Sequence, residues 1–406
     1  MKDISELRKE IDAVDDSIAS LYVRRMELAK SIGEFKQENK IGVGDASRER
    51  QIINRVTKDM PEEFKLYAKQ LYDTLFSTSK AYQTSFVEIE SSTISNIKKA
   101  LNEGVAKFPT TASVACQGVA GAYSQIAADR MFPIADIMYF KDWDAVFKAV
   151  EKGFVEFGVL PIENSNAGSV NAVYDLMRKH NFYIAKSIKL RIQHHLLANK
   201  GTHIGDIKEV YTHEQAVAQC SDFIKNLGEV KVTVVDNTAR AAEMVANSDR
   251  NDVACISSHD CKDIYGLQIL ETNVQNNENN YTRFIAITKK LKVYENATKI
   301  SIMANLPHEA GSLNKVLNRF AALGINLTKL ESRPMSNTSF EFAFYFDIEA
   351  RVESKEVQNL LAELDNTSDK FVFLGAKVYI RQQIGNAVPP LMAKAIADQI
   401  QKVLGV

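Results

Sequence analysis

Residues 21–28 read LYVRRMEL, which places two guanidinium groups in the middle of an apolar seam. The seam runs Ile4, Leu7, Ile11, Val14, Ile18, Leu21, then Leu28, Ile32 and Phe35, in steps of three and four with one interruption. This heptad spacing predicts one helix over residues 3–38. No proline falls within it, and its only glycine, Gly33, stands near the end. About 35 residues at ~1.5 Å each make a rod of roughly 50 Å. A segment of about 90 residues cannot wrap such a rod into a core of its own. The seam is therefore expected to pack on a second copy of itself, in a homodimer or a higher homo-oligomer.

Outward from this helix, a turn at IGVGD (41–45) leads to a short helix from Ala46 to about Val56. KDMPEEF (58–64) opens a third helix. Pro61 suits its first turn, and Glu62 and Glu63 suit the positive end of its dipole. Residues 1–90 thus read as an all-α domain and 91–110 as a polar linker. Over 111–290, short β-rich runs alternate with amphipathic helices, an α/β signature. Residues 297–380 read strand, helix, strand, strand, helix, strand, which is the α+β ferredoxin-like order βαββαβ. A helical tail, 381–406, remains.

The chain has 406 residues, 45% hydrophobic and 25% charged, as in ordinary soluble multidomain proteins. A net charge of -1 gives no general attraction to nucleic acid or to an anionic membrane. Cys116, Cys220, Cys255 and Cys261 show no CxxC spacing and read as reduced thiols. The first residues, MKDISELRKEID, are charged and helical, unlike a secretory signal. No apolar run approaches the ~18 residues of a membrane span. The expected setting is the cytoplasm and the expected partners are small molecules, with no metal and no cofactor required.

With Ile4 at heptad position a, Arg8 and Lys36 fall at e, Arg24 at g and Arg25 at a. GDASRERQ (44–51) adds Asp45, Arg48 and Glu49, and Ser79 and Gln83 share a face of the third helix. Any one of these cations reads as a solvated edge residue. Together they need an anionic partner, because buried unpaired cations cost several kcal/mol each. Nearby carboxylates could supply it, or a ligand with more than one carboxylate could. LRKEIDAVDDSIASLYVRRMELAKSIGEFKQENK (7–40) and DASRERQII (45–53) resemble the all-helical type of chorismate mutase. The resemblance implies a dimer that holds chorismate in a compact conformer and rearranges it to prephenate without covalent or acid–base steps. It assigns Arg8 (from the partner helix), Arg24 and Arg48 to the substrate. It assigns Lys36 and Gln83 to the ether oxygen, and Asp45, Glu49 and Ser79 to the hydroxyl and ring-carboxylate side. Arg25 is left a structural part, pairing with a carboxylate such as Glu49 or marking where the seam opens.

Three motifs mark the α/β region. QGVAGAYSQIAA (117–128) is a glycine turn opening a helix, without the third glycine of a dinucleotide fingerprint. GVLPIENSNAGSV (158–170) ends a strand with Glu163, Asn164, Ser165 and Ser169, where α/β sheets place ligands. NNYTRFIAI (279–287) puts Thr282 and Arg283 at the start of a strand. Each can be turn chemistry alone. YTHEQAV (211–217) lacks the second histidine of a zinc HExxH motif, and the adjacent His194 and His195 point to opposite faces of a strand. Together with NTARAA (237–242) and YGLQILETNVQNNENNYTRF (265–284), these segments resemble prephenate dehydratase. That implies two α/β lobes with prephenate converted in the cleft to phenylpyruvate, CO₂ and water. The resemblance gives Thr282 as donor to the departing hydroxyl and Arg283 as partner of a substrate carboxylate. Glu163 is the ready acid if burial raises its pKa. Asn164, Ser165, Ser169, Thr212, Gln215, Gln219 and Phe284 are expected to line the cleft.

HEAGSLNKVL (308–317) and LTKLESRP (327–334) resemble the ACT regulatory domain. The resemblance implies phenylalanine bound between paired domains by Gly311, Ser312 and Leu313 at a strand-to-helix turn, with Glu331, Ser332, Arg333 and Pro334. The alternative is a pairing module without ligand. RQQIGNAVPPLMAKAIADQI (381–400) resembles the last segment of cytosine-5 DNA methyltransferases, but the chain has no Pro-Cys dipeptide to supply their nucleophile. The expected activity is a bifunctional mutase and dehydratase of phenylalanine biosynthesis. The rivals are a ligand-binding sensor without turnover and a DNA methyltransferase.

Overall fold

The computed structural model describes residues 3–380 apart from 40, 42, 43, 85–88, 310 and 335–341. The methyltransferase-like tail, 381–406, lies outside the described residues. The chain divides into two units, Met1–Lys107 with Leu291–Lys377, and Phe108–Lys290 with Val378–Val406.

In the first unit, helix α1 (Ile4–Glu38) is the uninterrupted rod that the seam predicts. α2 (Ala46–Thr57) is capped by Asp45, whose carboxylate accepts from the Arg48 backbone N–H at 2.9 Å. α3 (Glu62–Thr84) packs against both. Only Ala29 and Gly33 of α1 are buried, and both face α3. A Cβ at Gly33 would stand 3.2 Å from Gln83 Cγ, so glycine sets how closely the two helices approach. The heptad seam stays exposed in the single chain: Ile11 is 60%, Ile18 57% and Leu21 65% accessible.

The stretch read as a polar linker carries a fourth helix, α4 (Ser92–Asn102). Ser91 caps it, and Ile94, Ile97 and Ala100 form a buried face at spacing three. Its polar residues lie on the other side, which made the segment look like a connector.

The second unit has two lobes. In the first, β1 (Thr111–Gln117) leads through α5 (Tyr123–Met131) to β2 (Ile134–Phe140), and α6 (Trp143–Glu151) leads to β3 (Phe157–Asn164). After β4 (Gly168–Ser169) and α7 (Asn171–Met177) comes β5 (Tyr183–Arg191). The chain then leaves for the second lobe. That lobe holds β6 (His195–Ala198), β7 (Glu209–Thr212), α8 (Glu214–Gln219), α9 (Ser221–Asn226) and β8 (Lys231–Val234). It ends with α10 (Thr238–Ala246), β9 (Val253–Ser257), α11 (Cys261–Tyr265) and β10 (Gln268–Glu271). The chain returns to the first lobe as β11 (Tyr281–Thr288). The first sheet runs β5-β11-β3-β1-β2, and the second runs β10-β6-β9-β7-β8.

YIAKSIKLRIQHHLLA (183–198) is one continuous β-rich run in the sequence. The structure breaks it at Ile192–His194, where the chain crosses between lobes. Both halves are apolar because each sits inside its own sheet.

Back in the first unit, β12 (Ala297–Asn305), α12 (Ser312–Ala322), β13 (Asn326–Pro334), β14 (Phe342–Glu349), α13 (Lys355–Thr367) and β15 (Lys370–Ile380) follow the expected βαββαβ order. The strands lie β13-β14-β12-β15. α12 and α13 pack on α3, and α13 also packs on α4. Arg319 of α12, only 6% exposed, pairs with Glu363 of α13 and donates to the Ser77 carbonyl of α3 at 3.0 Å. Asp365 and Asn359 of α13 accept from the backbone N–H groups of Thr93 and Ile89. Within the chain the βαββαβ unit is thus bonded to the helical domain through partly buried polar contacts.

Candidate active sites

The first site forms where α1 faces α3. Positions 25, 29, 33 and 36 recur at helical spacing, so Arg25 and Lys36 flank the buried Ala29 and Gly33 on one face. Arg25 is half-buried, and its Nη1 donates to the Leu75 carbonyl at 3.1 Å and to Ser79 Oγ. Its guanidinium lies 5.9 Å from the centre of the Phe76 ring. Ser79 Oγ donates onward to the Leu75 carbonyl at 2.7 Å. Gln83 is one turn further along α3 and buried, and among the described residues its Oε1 has no hydrogen-bond partner. Glu49 of α2 closes the side through an ion pair with Lys80 at 2.6 Å.

These contacts amend the expectations. Arg25, set aside as structural, is the arginine that reaches Ser79, while Arg24 is exposed. Arg25 does not pair with Glu49, which is held by Lys80. The signal was present in the sequence as the 25-29-33-36 spacing, but the heptad lettering pointed Arg25 at a partner helix rather than at α3. Arg8 is exposed on α1, and Arg48 is exposed with its Nη1 3.3 Å from Gln51 Oε1. Asp45 is spent on capping α2. Half-buried Lys36 shares the face of Arg25.

The second site lies at the carboxyl end of β3, beside the start of β11. The two strands are antiparallel, with Thr282 opposite Asn164 and Arg283 opposite Glu163. Asn164 organises the corner. Its Nδ2 donates to Thr282 Oγ1 at 2.9 Å and to Asn280 Oδ1 at 2.8 Å. Its Oδ1 accepts from the backbone N–H groups of Asn166 and Ala167 at 3.0 and 2.9 Å. Because Thr282 Oγ1 already accepts from Asn164, its own O–H remains to donate elsewhere. Ser165 straps the corner, donating to the Asn279 carbonyl and accepting from the Tyr281 N–H. Ser169 in β4 pairs with Glu163 across the hairpin.

Next to this corner is a cavity of about 340 Å³, whose lining residues include Asn166, Gln215, Gln219, Asn276, Asn277 and Asn280. Gln215 and Gln219 are among its lining residues. Thr212 is not: it is fully buried, and its hydroxyl donates to the Ile256 carbonyl at 2.9 Å. Phe284 is 3% exposed and belongs to the core of the first lobe. Glu163 and Arg283 form an ion pair with each other. Asn276 and Asn280 escaped the sequence reading, although the run QNNENN (275–280) is an unusual density of amides.

In the βαββαβ unit, Gly311 takes φ 87° just before α12, a left-handed conformation suited to glycine. Ser312 and Leu313 open the helix. Glu331, Ser332, Arg333 and Pro334 lie on the edge strand β13, with β14 between them and β12. Among the described residues, no group of three or more His, Cys, Asp or Glu side chains could hold a metal ion. No helix among them is long and apolar enough to cross a membrane.

A family model described as chorismate mutase type II matches residues 7–84, and one described as prephenate dehydratase matches 114–292. The bifunctional chorismate mutase/prephenate dehydratase of Aquifex aeolicus (strain VF5) is 32% identical over 380 residues, spanning 93% of this chain and 98% of the relative. Arogenate dehydratase/prephenate dehydratase 2, chloroplastic, of Arabidopsis thaliana is 38% identical over 274 residues, spanning 65% of this chain and 72% of the relative. A prephenate dehydratase from Arthrobacter aurescens, solved in complex with L-Phe, matches with a TM-score of 0.60 at 25% identity. That match covers 72% of this chain and 100% of the other. Both domains occur in the same order as in a relative matched nearly end to end, and the chain belongs to the bifunctional chorismate mutase/prephenate dehydratase family.

Proposed function

We propose that this chain rearranges chorismate to prephenate at the α1–α3 site. It then removes CO₂ and water from prephenate at the cavity beside the Thr282 corner, in the synthesis of phenylalanine. The observation that carries the first step is Arg25 held against Ser79 beside buried Gln83. A [3,3] rearrangement needs a compact conformer and stabilisation of charge on the breaking ether oxygen, which fixed donors supply. The second step rests on Thr282, whose hydroxyl is oriented by Asn164 to act as a donor. Phenylalanine is the proposed effector, bound by Gly311–Leu313 of one copy and Glu331–Pro334 of another. This reading is supported by the placement of the second motif on β13, which ends the strand order β13-β14-β12-β15. The compartment is the cytoplasm.

An ultraviolet assay tests the whole scheme: loss of chorismate, then phenylpyruvate after alkali, with and without phenylalanine. Pure protein that consumes neither chorismate nor prephenate would end the enzymatic reading in favour of a sensor. Turnover that ignores phenylalanine would end the effector reading alone.

The dimer is proposed from the exposed seam, and it predicts a defined loss. Leu21→Glu places a charge in the apolar stripe and is expected to give a monomeric helical domain by sedimentation velocity. Mutase activity should fall by about 100-fold or more, because Arg8 of a second copy no longer reaches the site. An unchanged oligomer with full mutase activity would show that the seam packs on something else.

A further inference from the structure

The two lobes of the second unit are joined by two crossings, Ile192–His194 and Thr272–Asn280, and these are bonded to each other. The Val274 N–H donates to the His194 carbonyl at 2.9 Å, and the His194 N–H donates to Gln275 Oε1 at 2.9 Å. The Ile192 N–H donates to the Asn280 carbonyl at 2.8 Å. His194 is 3% exposed and stands edge-on to Tyr123 of α5, ring centres 6.5 Å apart. Its imidazole Nε2 is 2.9 Å from Gln219 Oε1. Gln219 lines the cavity, and its backbone carbonyl accepts from the Asn276 N–H at 2.7 Å.

The tautomer follows from burial. Desolvation lowers the His194 pKa below its ordinary value, which favours the neutral ring. Among the described residues Nδ1 has no hydrogen-bond partner. A buried N–H donor left unpaired is rarer and costlier than an unpaired acceptor, so the proton belongs on Nε2. Nε2–H then donates to Gln219 Oε1, which fixes the carboxamide flip and leaves the Gln219 NH₂ as the group available to the cavity.

We infer that His194 is a positioning residue for dehydration: it holds Gln219 so that two N–H donors are presented to the anionic substrate. The inference rests on reading this cavity as the dehydratase site. It deepens that reading, because it gives one residue of the cavity wall a defined orientation and donor polarity. His194 does not touch the substrate; it acts through Gln219.

A double-mutant cycle on the full chain tests this, with dehydration of added prephenate as the readout and circular dichroism with the thermal unfolding midpoint as the control for folding. His194→Phe keeps the ring volume and removes the donor, and is expected to lower kcat/KM about tenfold, the worth of one buried hydrogen bond. His194→Gln can place a donor near the Nε2 position and is expected to recover most of that loss. In the Gln219→Ala background, His194→Phe should cost less than about twofold more, since the group it positions is gone. Equal losses in both backgrounds, or no loss in either, would overturn the inference. If His194→Phe fails to fold, His194→Leu, which also lacks the donor, takes its place in the same cycle with Gln219→Ala. A parent chain without dehydratase activity would instead defeat the reading of the cavity.

Discussion

Arg25→Ala is expected to abolish chorismate rearrangement while dehydration of added prephenate stays close to the parent rate. Removing one fixed donor to developing negative charge costs about 10²–10³ in rate, and Arg25 also orients Ser79. The substitution should cost little stability. The Leu75 carbonyl keeps its bond from Ser79 Oγ at 2.7 Å, and the guanidinium is only half-buried. Arg24→Ala is the matched control, since that side chain is exposed and away from α3; its mutase rate should stay within about threefold of the parent. Steady-state chorismate loss, followed for both variants, separates the two arginines. Collapse of activity in Arg24→Ala with survival in Arg25→Ala would return the site to the assignment made from the sequence.

Thr282→Ala should produce the mirror image, a loss of dehydration of about 10²–10³ with the mutase intact. The hydroxyl is the group that can meet the departing oxygen, because Asn164 already fills its acceptor side. Thr282→Ser keeps that hydroxyl and should retain most of the rate. Thr282 is 8% exposed at a strand start, so the alanine variant removes a methyl and a hydroxyl without opening a large core cavity. Single-turnover measurement of phenylpyruvate formation would show whether the chemical step is the one that slows. A Thr282→Ala chain that dehydrates prephenate at the parent rate would move the proton donor elsewhere.

The seam residues of α1 were legible because a 3.6-residue period repeats over a long element. The adjacent arginines were not, because one residue is about 100° of helix and two rival faces were in play. Heptad lettering describes the face turned to a partner helix; Arg25 belongs to the face turned to α3, which only the position of Ser79 reveals. The Thr282 corner was legible because its residues cluster in two short motifs at strand ends. Thr212 illustrates the converse. It sits in a motif beside Gln215, yet its hydroxyl is consumed by the Ile256 carbonyl, a partner 44 residues away. The role of His194 was not legible, because its partner Gln219 is 25 residues further on and no local pattern joins them. α4 was read as a linker because its buried face is only three residues wide.

The chain leaves the first lobe after β5 and returns as β11, so the second lobe is a continuous insert between two strands that hydrogen-bond to each other. The bond from Asn164 to Thr282 therefore closes a loop of 118 residues. Loop-closure entropy grows only with the logarithm of length, and a folded insert whose two ends are already bonded at His194 and Val274 shortens the effective loop further. The second lobe thus does part of the work of assembling a site on the first: it brings the strand carrying Thr282 back to the strand carrying Asn164 with little chain entropy left to lose.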